Sequence, residues 1–274
     1  MILLFSYLAE FALVVLVALA AVLLKTIDGR GFLASVAIGL AIIFGGGLSW
    51  FIIVAVFFIL GVGFTLYRYG YKRRLGGAQE KGGARNWPNI LANGGVPALF
   101  AIANLLYQGP WPAALFLGSI SAAAADTAAT ELGLLSKKNP RLVTRPSRVV
   151  APGTSGGVTS LGFSGSILAA AIIGTMASAL GVVPGQAGLG HAALTLIICV
   201  IGGVLGTLSD SFTGAVVQRK GYCVVCLKPT EATRHCGERT KVVGGAAYVE
   251  NNVVNVIATV VGGLTSLAVF LALA

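Results

Sequence analysis

The sequence predicts an all-α fold, a polytopic bundle of about eight transmembrane helices. Hydrophobic residues make up 56% of the 274 residues and charged residues only 10%, and the mean hydropathy is +0.89. A water-soluble domain normally carries far more charge on its surface. The chain also contains several uncharged apolar stretches of about 18 residues or more, the length that crosses a bilayer. Its 38 glycines fit helices that pack closely in a membrane.

Eight apolar stretches follow one another along the chain, and each is predicted to be one span. Their predicted boundaries are 2–24, 32–46, 48–66, 90–107, 113–134, 158–183, 191–217 and 253–273. The second stretch is short, so 32–66 is alternatively one hairpin pinched at Gly45–Gly47, with seven spans as the fallback. Residues 1–274 are predicted to form a single transmembrane domain, in which the longest polar segment, 218–250, is a large loop.

The first stretch is predicted to stay in the protein as a transmembrane helix. Signal peptides carry positive charge before their apolar core. Here no Lys or Arg precedes the core, and Lys25 and Arg30 follow it. This order predicts an N-terminus outside.

The basic residues all belong to one side of the predicted bundle. When the connections are assigned alternately to the two sides, all 19 Lys and Arg follow spans one, three, five and seven. Because cytoplasmic loops of membrane proteins are rich in Lys and Arg, this side is predicted to face the cytoplasm of a plasma membrane, with both termini outside. The net charge of +10 then reflects loop orientation and attraction to anionic lipid or phosphate, not nucleic acid.

Three acidic residues lie within or at the inner ends of the apolar spans: Asp126, Glu131 and Asp210. Ionisable groups inside a membrane are costly and usually have a function. Their spans run toward the basic side, which places the carboxylates close to the basic loops. Because carboxylate oxygens bind magnesium and Lys or Arg bind phosphates, the arrangement predicts a magnesium–phosphate site. The alternative is a set of buried acids paired with Lys or Arg to hold helices together.

A polar segment at the inward start of the fourth span is the first of three candidate phosphate-binding segments. It reads GGARNWPNILANGG (82–95), in which Pro88 suits a first helical turn. The N–H groups and the dipole of a helix start attract anions. The alternative is a polar helix cap at the membrane interface. The candidate residues are Arg85, Asn86, Asn89 and Asn93.

The other two candidate segments begin spans six and eight. Residues 152–159, PGTSGGVT, form a Gly- and hydroxyl-rich loop that can wrap a phosphate with backbone N–H groups, although no P-loop lysine follows. The asparagines that begin span eight have interhelical hydrogen bonding as their alternative role. Further candidates lie in the basic loop after span five and on either side of Asp210. With those of the two segments, the full set is Lys137, Arg141, Thr154, Ser155, Gly156, Gly157, Ser209, Ser211, Asn251, Asn252 and Asn255.

A cysteine cluster lies in the long loop. Cys223 and Cys226 are followed by His235 and Cys236, and thiolates at such spacing fit a zinc ion that pins the loop. Adjacent His235 and Cys236 are not expected to reach one ion, so the predicted zinc ligands are Cys223, Cys226 and Cys236. Reduced cytoplasmic thiols or a capping loop are the alternative. A secreted disulfide framework is excluded, because Cys199 lies in an apolar span.

With its motifs in this order, the sequence resembles the integral-membrane family that contains the phytyl-phosphate kinase of tocopherol synthesis. The resemblance lies between residues 80 and 260, in GGARNWPNILANGG, ADTAATELG, PRLVT, PGTSGGVT, SDSFTGA, CVVC…HCG and NNVVN. It implies phosphoryl transfer from a nucleoside triphosphate, CTP, to an isoprenoid monophosphate of the phytyl or geranylgeranyl type, giving a prenyl diphosphate.

The resulting hypothesis assigns roles to the candidate residues. Asp126, Glu131 and Asp210 hold Mg²⁺ between donor phosphates, Arg85 is the fourth catalytic residue, and the remaining candidates bind phosphate or base. Two rival functions remain. A cytidylyltransferase that forms a CDP-lipid would use the same parts, and an ion-coupled transporter would use the acids to bind cations. Transport is less favoured, because the sequence has no internal repeat and its polar residues lie toward one side.

Overall fold

The computed structural model describes residues 2–75, 81–107, 109–183, 188–227 and 229–274. Within them the chain forms eight α-helices, which confirms the predicted helical bundle. Seven of these, all except α3, are long and apolar enough to cross a membrane. The helices are α1 (Ile2–Leu23), α2 (Gly29–Leu66), α3 (Tyr69–Arg74), α4 (Trp87–Leu106), α5 (Pro110–Gly133), α6 (Ser160–Ala179), α7 (Leu189–Val216) and α8 (Asn251–Leu273).

Helix α2 is a hairpin of two limbs, 29–46 and 48–66. Gly47 has a φ of 79° and a ψ of −175°, which is not helical and which only glycine adopts readily. A Cβ placed on Gly39 would lie 3.3 Å from the Phe51 ring, whereas residues twelve apart in a straight helix are separated by about 18 Å. The chain therefore reverses at the predicted pinch, and the bundle has eight passes.

Successive passes alternate in direction, so the polar connections gather at one end of the bundle. Thr65 contacts Glu131 there, and the backbone of Arg85 pairs with Thr26 and Asp28. Every Lys and Arg among the described residues lies at this end or in its connections. It is called the basic end below, and it is marked by the last residues of α1, α2, α5 and α7 and the first residues of α2, α4, α6 and α8, namely Leu23, Leu66, Gly133, Val216, Gly29, Trp87, Ser160 and Asn251.

Two connections at the basic end contain short strands that were not predicted, because strands of two to five residues carry too few side chains to show an alternating pattern. One sheet has the order β2-β1-β3, a second has the order β5-β4-β8, and β6 pairs with β7. A short 3₁₀ turn, Lys81–Gly83, precedes α4. The strands are β1 (Arg141–Leu142), β2 (Arg145–Val149), β3 (Gly157–Val158), β4 (Lys220–Tyr222), β5 (Pro229–Thr230), β6 (Arg234–His235), β7 (Glu238–Arg239) and β8 (Lys241–Gly244).

A seam of small residues holds α5, α7 and α8 together. A Cβ placed on Gly262 would lie 2.6 Å from the Cβ of Ala122 and 2.7 Å from the carbonyl oxygen of Gly118. A Cβ on Gly206 would likewise collide with Ala122. Such contacts let transmembrane helices approach closely. Nearer the basic end, by one turn on α5 and α7 and by two turns on α8, these three helices carry Asp126, Asp210 and Asn255.

Candidate active site

Asp126 on α5 and Asp210 on α7 lie close enough for their negative charges to repel each other. Both residues are partly buried. Among the described residues, no Lys or Arg forms a salt bridge with either. Two shielded carboxylates without a cation are unfavourable, so a bound cation would relieve the repulsion. Asp126 and Asp210 are called the acid pair below.

Three asparagines connect the acid pair to α4 and α8. With its amide nitrogen turned toward acceptors, Asn255 donates to the Asn251 carbonyl and to Asp210 Oδ2, both at 3.2 Å. Its amide oxygen then accepts a hydrogen bond from Asn93 Nδ2 at 3.2 Å. Asn93 Nδ2 also donates to the Asn89 carbonyl at 2.9 Å. Asn93 of α4 and Asn255 of α8 therefore meet beside Asp210. Their interhelical hydrogen bond is the alternative role that was predicted for the asparagines of α8.

Glu231 brings a third carboxylate within electrostatic reach of Asp210 and was not among the predicted site residues. Its charge acts on Asp210, and its carboxylate accepts hydrogen bonds from the Ser155 hydroxyl and from Gln218 Nε2, the latter at 2.8 Å. Although the residue as a whole is exposed, burial of the carboxyl raises the pKa of Glu231, and the two hydrogen bonds and Lys220 oppose this only in part. No local sequence pattern marks Glu231, because it reaches the site through the fold of its loop.

The predicted phosphate loop packs on the last turns of α7, close to Asp210. Gly156 has a φ of 77°, and a Cβ placed on it would lie 2.7 Å from the carbonyl oxygen of Ser211. Both facts require glycine at this position. Ser155 connects the loop to Glu231, as described above, while the Thr154 hydroxyl donates to the Ala151 carbonyl at 2.8 Å.

Glu131 lies apart from the acid pair, in an ion pair with Lys72. Lys72 Nζ lies 2.5 Å from Glu131 Oε2, and the two side chains are only 0% and 3% exposed. The Thr65 hydroxyl donates to Glu131 Oε1 at 2.8 Å. Because both carboxylate oxygens have partners within the protein, the predicted role of Glu131 as a magnesium ligand does not fit this arrangement. Glu131 instead follows the alternative, a buried acid that holds helices together.

Arg85 belongs to the same side of the bundle as Glu131. Its guanidinium lies 5.3 Å and 5.7 Å from the ring centres of Phe57 and Phe58 and rests against Gly61. Burial lowers the pKa of Arg85 to about 10, and the charge of Glu131 opposes this, so Arg85 stays cationic at neutral pH. Arg85 was predicted to act on phosphate, but the structure places it beside Glu131 and against α2.

The remaining predicted residues cap a helix, are exposed at the basic end or lie partly buried. The Asn86 side chain caps α4 by accepting a hydrogen bond from the Asn89 N–H at 3.1 Å, which is the cap alternative. Lys137 and Arg141 are exposed at the basic end, and Arg141 Nη1 donates to the Pro146 carbonyl at 2.7 Å. Three further candidates are partly buried near the acid pair, on α7 and at the start of α8: Ser209, Ser211 and Asn252.

The cysteine cluster is tighter than predicted. One ligand atom from each of its four members lies within 4.8 Å of the others, and His235 is included. The expectation that His235 and Cys236 cannot reach one ion is therefore wrong. A hydrogen bond from the backbone N–H of Cys226 is the main reason that the pKa of the Cys223 thiol is lowered to about 6. The four residues, called the cysteine knuckle below, are Cys223, Cys226, His235 and Cys236.

Comparison with known proteins places these features in a family. A family model described as integral membrane protein DUF92 matches residues 12–263. The uncharacterised membrane protein MJ0933 of Methanocaldococcus jannaschii is 29% identical over 264 residues, which cover 95% of this chain and 94% of that protein. No solved structure is significantly similar to the chain.

Two relatives come from Arabidopsis thaliana. Protein PGR is 28% identical over 89% of this chain and 89% of its own length. Protein VTE6, chloroplastic, is 23% identical over 64% of this chain and 51% of its own length. Together with the family match, these relatives confirm the family resemblance seen in the sequence.

Proposed function

Because this chain belongs to the integral membrane protein family DUF92, we propose that it is a membrane kinase that acts on a prenyl monophosphate. It transfers a phosphoryl group from a nucleoside triphosphate, CTP, to a phytyl- or geranylgeranyl-type monophosphate and yields the prenyl diphosphate. The motif resemblance to the phytyl-phosphate kinase family supports this activity. The observation that carries the proposal is the acid pair at the basic end of the bundle, two carboxylates that form no salt bridge with a Lys or Arg among the described residues.

Asp126 and Asp210 would hold magnesium in this function. Protein sites for Mg²⁺ commonly supply one or two carboxylates and leave the other positions to phosphates and water. The acid pair supplies this number of carboxylates, and among the described residues no group of three carboxylates converges on one point. An ion held by Asp126 and Asp210 would supply positive charge that neutralises phosphate oxygens. Asn255 orients Asp210 by the hydrogen bond to Oδ2.

The basic end supplies the groups that meet two polyanionic substrates. Lys137 and Arg141 are exposed and available to phosphate oxygens. In the Thr154–Gly157 loop beside Asp210, the N–H groups of Thr154 and Gly157 donate to the Ala151 and Thr154 carbonyls, so those of Ser155 and Gly156 would bind phosphate. The prenyl tail lies among apolar helices and lipid, which leaves its phosphate at the membrane surface. With the basic end facing the cytoplasm of a plasma membrane, CTP reaches the same point from water.

The reaction itself needs no general base. An anionic oxygen of the acceptor phosphate attacks the γ-phosphorus of CTP, forming the new P–O bond of the diphosphate. The bond between the γ-phosphorus and the β–γ bridging oxygen breaks, and CDP leaves with its electron pair. Because the nucleophile is already anionic, the protein contributes position and electrostatic stabilisation.

Identification of the products tests this proposal. Purified protein in detergent is incubated with γ-labelled CTP, Mg²⁺ and prenyl monophosphates of several lengths, and the label is expected in a prenyl diphosphate with CDP as by-product. Asp126→Asn is expected to lower turnover by about 100-fold or more. Glu10→Gln, which changes a carboxyl on α1 away from the acid pair, is the control and keeps wild-type turnover.

Three outcomes would overturn parts of the proposal. Release of pyrophosphate with formation of a CDP-lipid would show a cytidylyltransferase. Cation flux in liposomes without nucleotide turnover would show a transporter. A folded Asp126→Asn protein with unchanged turnover would remove the magnesium assignment.

A further inference from the structure

The cysteine knuckle lies outside the acid pair and has no role in the proposed phosphoryl transfer. It is built in the connection between α7 and α8, from three thiols and one imidazole. The fourth cysteine of the chain, Cys199, is buried in α7 within the bundle. The knuckle therefore gathers every cysteine that lies outside the helices.

The backbone of the connection directs all four groups to one point. At the first half of the knuckle, the backbone N–H groups of Val225 and Cys226 point to the Cys223 sulfur, and the Leu227 N–H closes the turn on the Cys223 carbonyl at 3.0 Å. Strand β4, which ends at Tyr222, fixes the start of this turn.

The second half is the hairpin of β6 and β7. Its two-residue turn is Cys236–Gly237, with φ values of 54° and 84°. Two positive φ values in succession are the signature of a type I′ turn, and a non-glycine residue such as Cys236 is strained in this conformation. The left-handed conformation at Cys236 lets adjacent His235 and Cys236 point to the same place. The Nδ1 atom of His235 lies 3.2 Å from Cys236 Sγ and 3.4 Å from Cys226 Sγ.

These distances suit a tetrahedral metal. Zinc binds thiolate sulfur at about 2.3 Å and imidazole nitrogen at about 2.0–2.1 Å, so neighbouring ligand atoms of a tetrahedron are separated by roughly 3.5–3.8 Å. The four ligand atoms of the knuckle all lie within 4.8 Å of one another. A disulfide would involve only two of the sulfurs and would not explain why the third thiol and the imidazole lie at the same point.

The connection also lacks a hydrophobic core that would hold it folded. Among the side chains that the structure describes there, those of 217–227 and 230–250, the buried apolar ones are Cys223 and Val249. Other apolar side chains are exposed, such as Leu227 and Tyr248, at 66% and 81%. Short segments of this kind normally require a metal or a disulfide for stability.

We propose that the knuckle binds one zinc ion through Cys223, Cys226, His235 and Cys236. Three thiolates and one imidazole are ligands that select zinc, and a site with four protein ligands is structural because no position is open to substrate. The ion holds the β4 turn against the β6–β7 hairpin.

Zinc binding has a consequence for the acid pair, and this part rests on the proposed function. Glu231 lies in the chain between Cys226 and His235, so the metal fixes both ends of the segment that carries it. Its carboxylate reaches Ser155 and Gln218 and acts on Asp210. The zinc ion thus acts as a positioning element for the Ser155–Glu231 contact beside the phosphate loop.

Metal analysis of the full chain tests the site. Protein purified in detergent without chelator is expected to contain about one zinc per chain. Cys223→Ser combined with Cys226→Ser is expected to lower the zinc content at least about tenfold. Cys199→Ser, a matched change inside the bundle, keeps the full content. Cobalt exchanged into the wild type is expected to give the visible absorption of tetrahedral thiolate-bound Co²⁺.

Several results would overturn the zinc site. They are wild-type protein that holds no zinc after reduction and zinc addition, zinc retained by the Cys223/Cys226 double variant, or zinc lost from Cys199→Ser. Iron with the absorption of a cluster would also contradict it. Because metal content is measured without substrate, an inactive protein with zinc refutes the kinase alone, and an active protein without zinc refutes the knuckle alone.

Discussion

Two acidic groups on the same helix have opposite surroundings. Glu131 and Asp126 are both on α5, five positions apart, which rotates one roughly 140° from the other around the helix. Glu131 faces α2, where Lys72 and Thr65 satisfy both of its oxygens. Asp126 faces α7, where its charge acts on another carboxylate, Asp210.

The contrast shows that a buried acid can have a structural role or be left for a ligand, depending on the groups around it. A buried carboxylate is tolerated when a cation and a hydroxyl compensate it, and such a pair holds helices in place. Two carboxylates that repel each other do not stabilise the folded protein. Among the described residues no Lys or Arg balances their charge, so a cation from outside the chain would do so. Depth in the membrane alone therefore does not identify a functional acid.

The largest effect is expected when the Glu131 ion pair is broken. Lys72→Met leaves the buried Glu131 carboxylate without its ion-pair partner and should lower the free energy of unfolding by about 3–5 kcal/mol. Thermal unfolding in detergent measures it, with exposed Lys137→Met as the control. The double change of Lys72→Met and Glu131→Gln should recover part of the loss. A Lys72→Met protein as stable as the wild type would show that the pair is not needed.

The acid pair should respond in the opposite way. Asp210→Asn removes one of two repelling charges, so the unfolding temperature in magnesium-free buffer should stay the same or rise. Turnover should fall by about 100- to 1,000-fold. Glu131→Gln, the matched isosteric change, should lower the unfolding temperature. Equal destabilisation by the two changes would remove the distinction between the two regions.

A smaller effect is expected at Asn255. Asn255→Leu removes the hydrogen bond to Asp210, and hydrogen bonds to charged groups contribute about 1.5–3 kcal/mol, so turnover should fall by about 10- to 100-fold. Asn104→Leu is the control, because Asn104 Nδ2 donates at 2.9 Å to the Gly45 carbonyl at the opposite end of α4. It should lower stability by about 1 kcal/mol and leave turnover unchanged. If instead Asn104→Leu lowered turnover and Asn255→Leu did not, the active site would lie at the end of the bundle opposite the basic end.

The smallest effect concerns pH. Burial raises the pKa of Glu231 in the folded protein above the ordinary Glu value, so the neutral carboxyl is favoured by folding. Its contribution is present in acid and is lost as pH rises through the raised pKa. Relative to Glu231→Gln, whose side chain does not titrate, the wild type should therefore have a lower unfolding temperature as pH rises. A difference that does not change with pH would mean that the carboxyl is fully hydrated.

The membrane passes could be predicted from the sequence because their signals are local. Each pass is a continuous apolar stretch, and even the pinch at Gly45–Gly47 was visible. Assigning the connections alternately to the two sides of the membrane was enough to predict that the basic connections lie at one end. The strands of the two long connections were missed, because they are short and polar and depend on pairing between distant segments.

The candidate site was predicted less completely, for a geometric reason. The sequence predicted that one end of the bundle carries Asp126, Asp210 and the asparagines at the starts of α4 and α8, and the structure has them there. Glu131 was grouped with them because sequence spacing does not tell which helix lies opposite each face. Glu231 was absent because only the folded connection between α7 and α8 brings it to Ser155 and Asp210.

Hydropathy and charge order alone determined that this chain is a membrane bundle with its cations at one end, since the cost of placing a residue in lipid depends on that residue and its near neighbours. Only the tertiary structure decided which acids are compensated and which are not. That outcome depends on the partner that each helix face meets, and the partner is a side chain from a distant part of the chain. It paired Lys72 with Glu131 and left Asp126 facing Asp210.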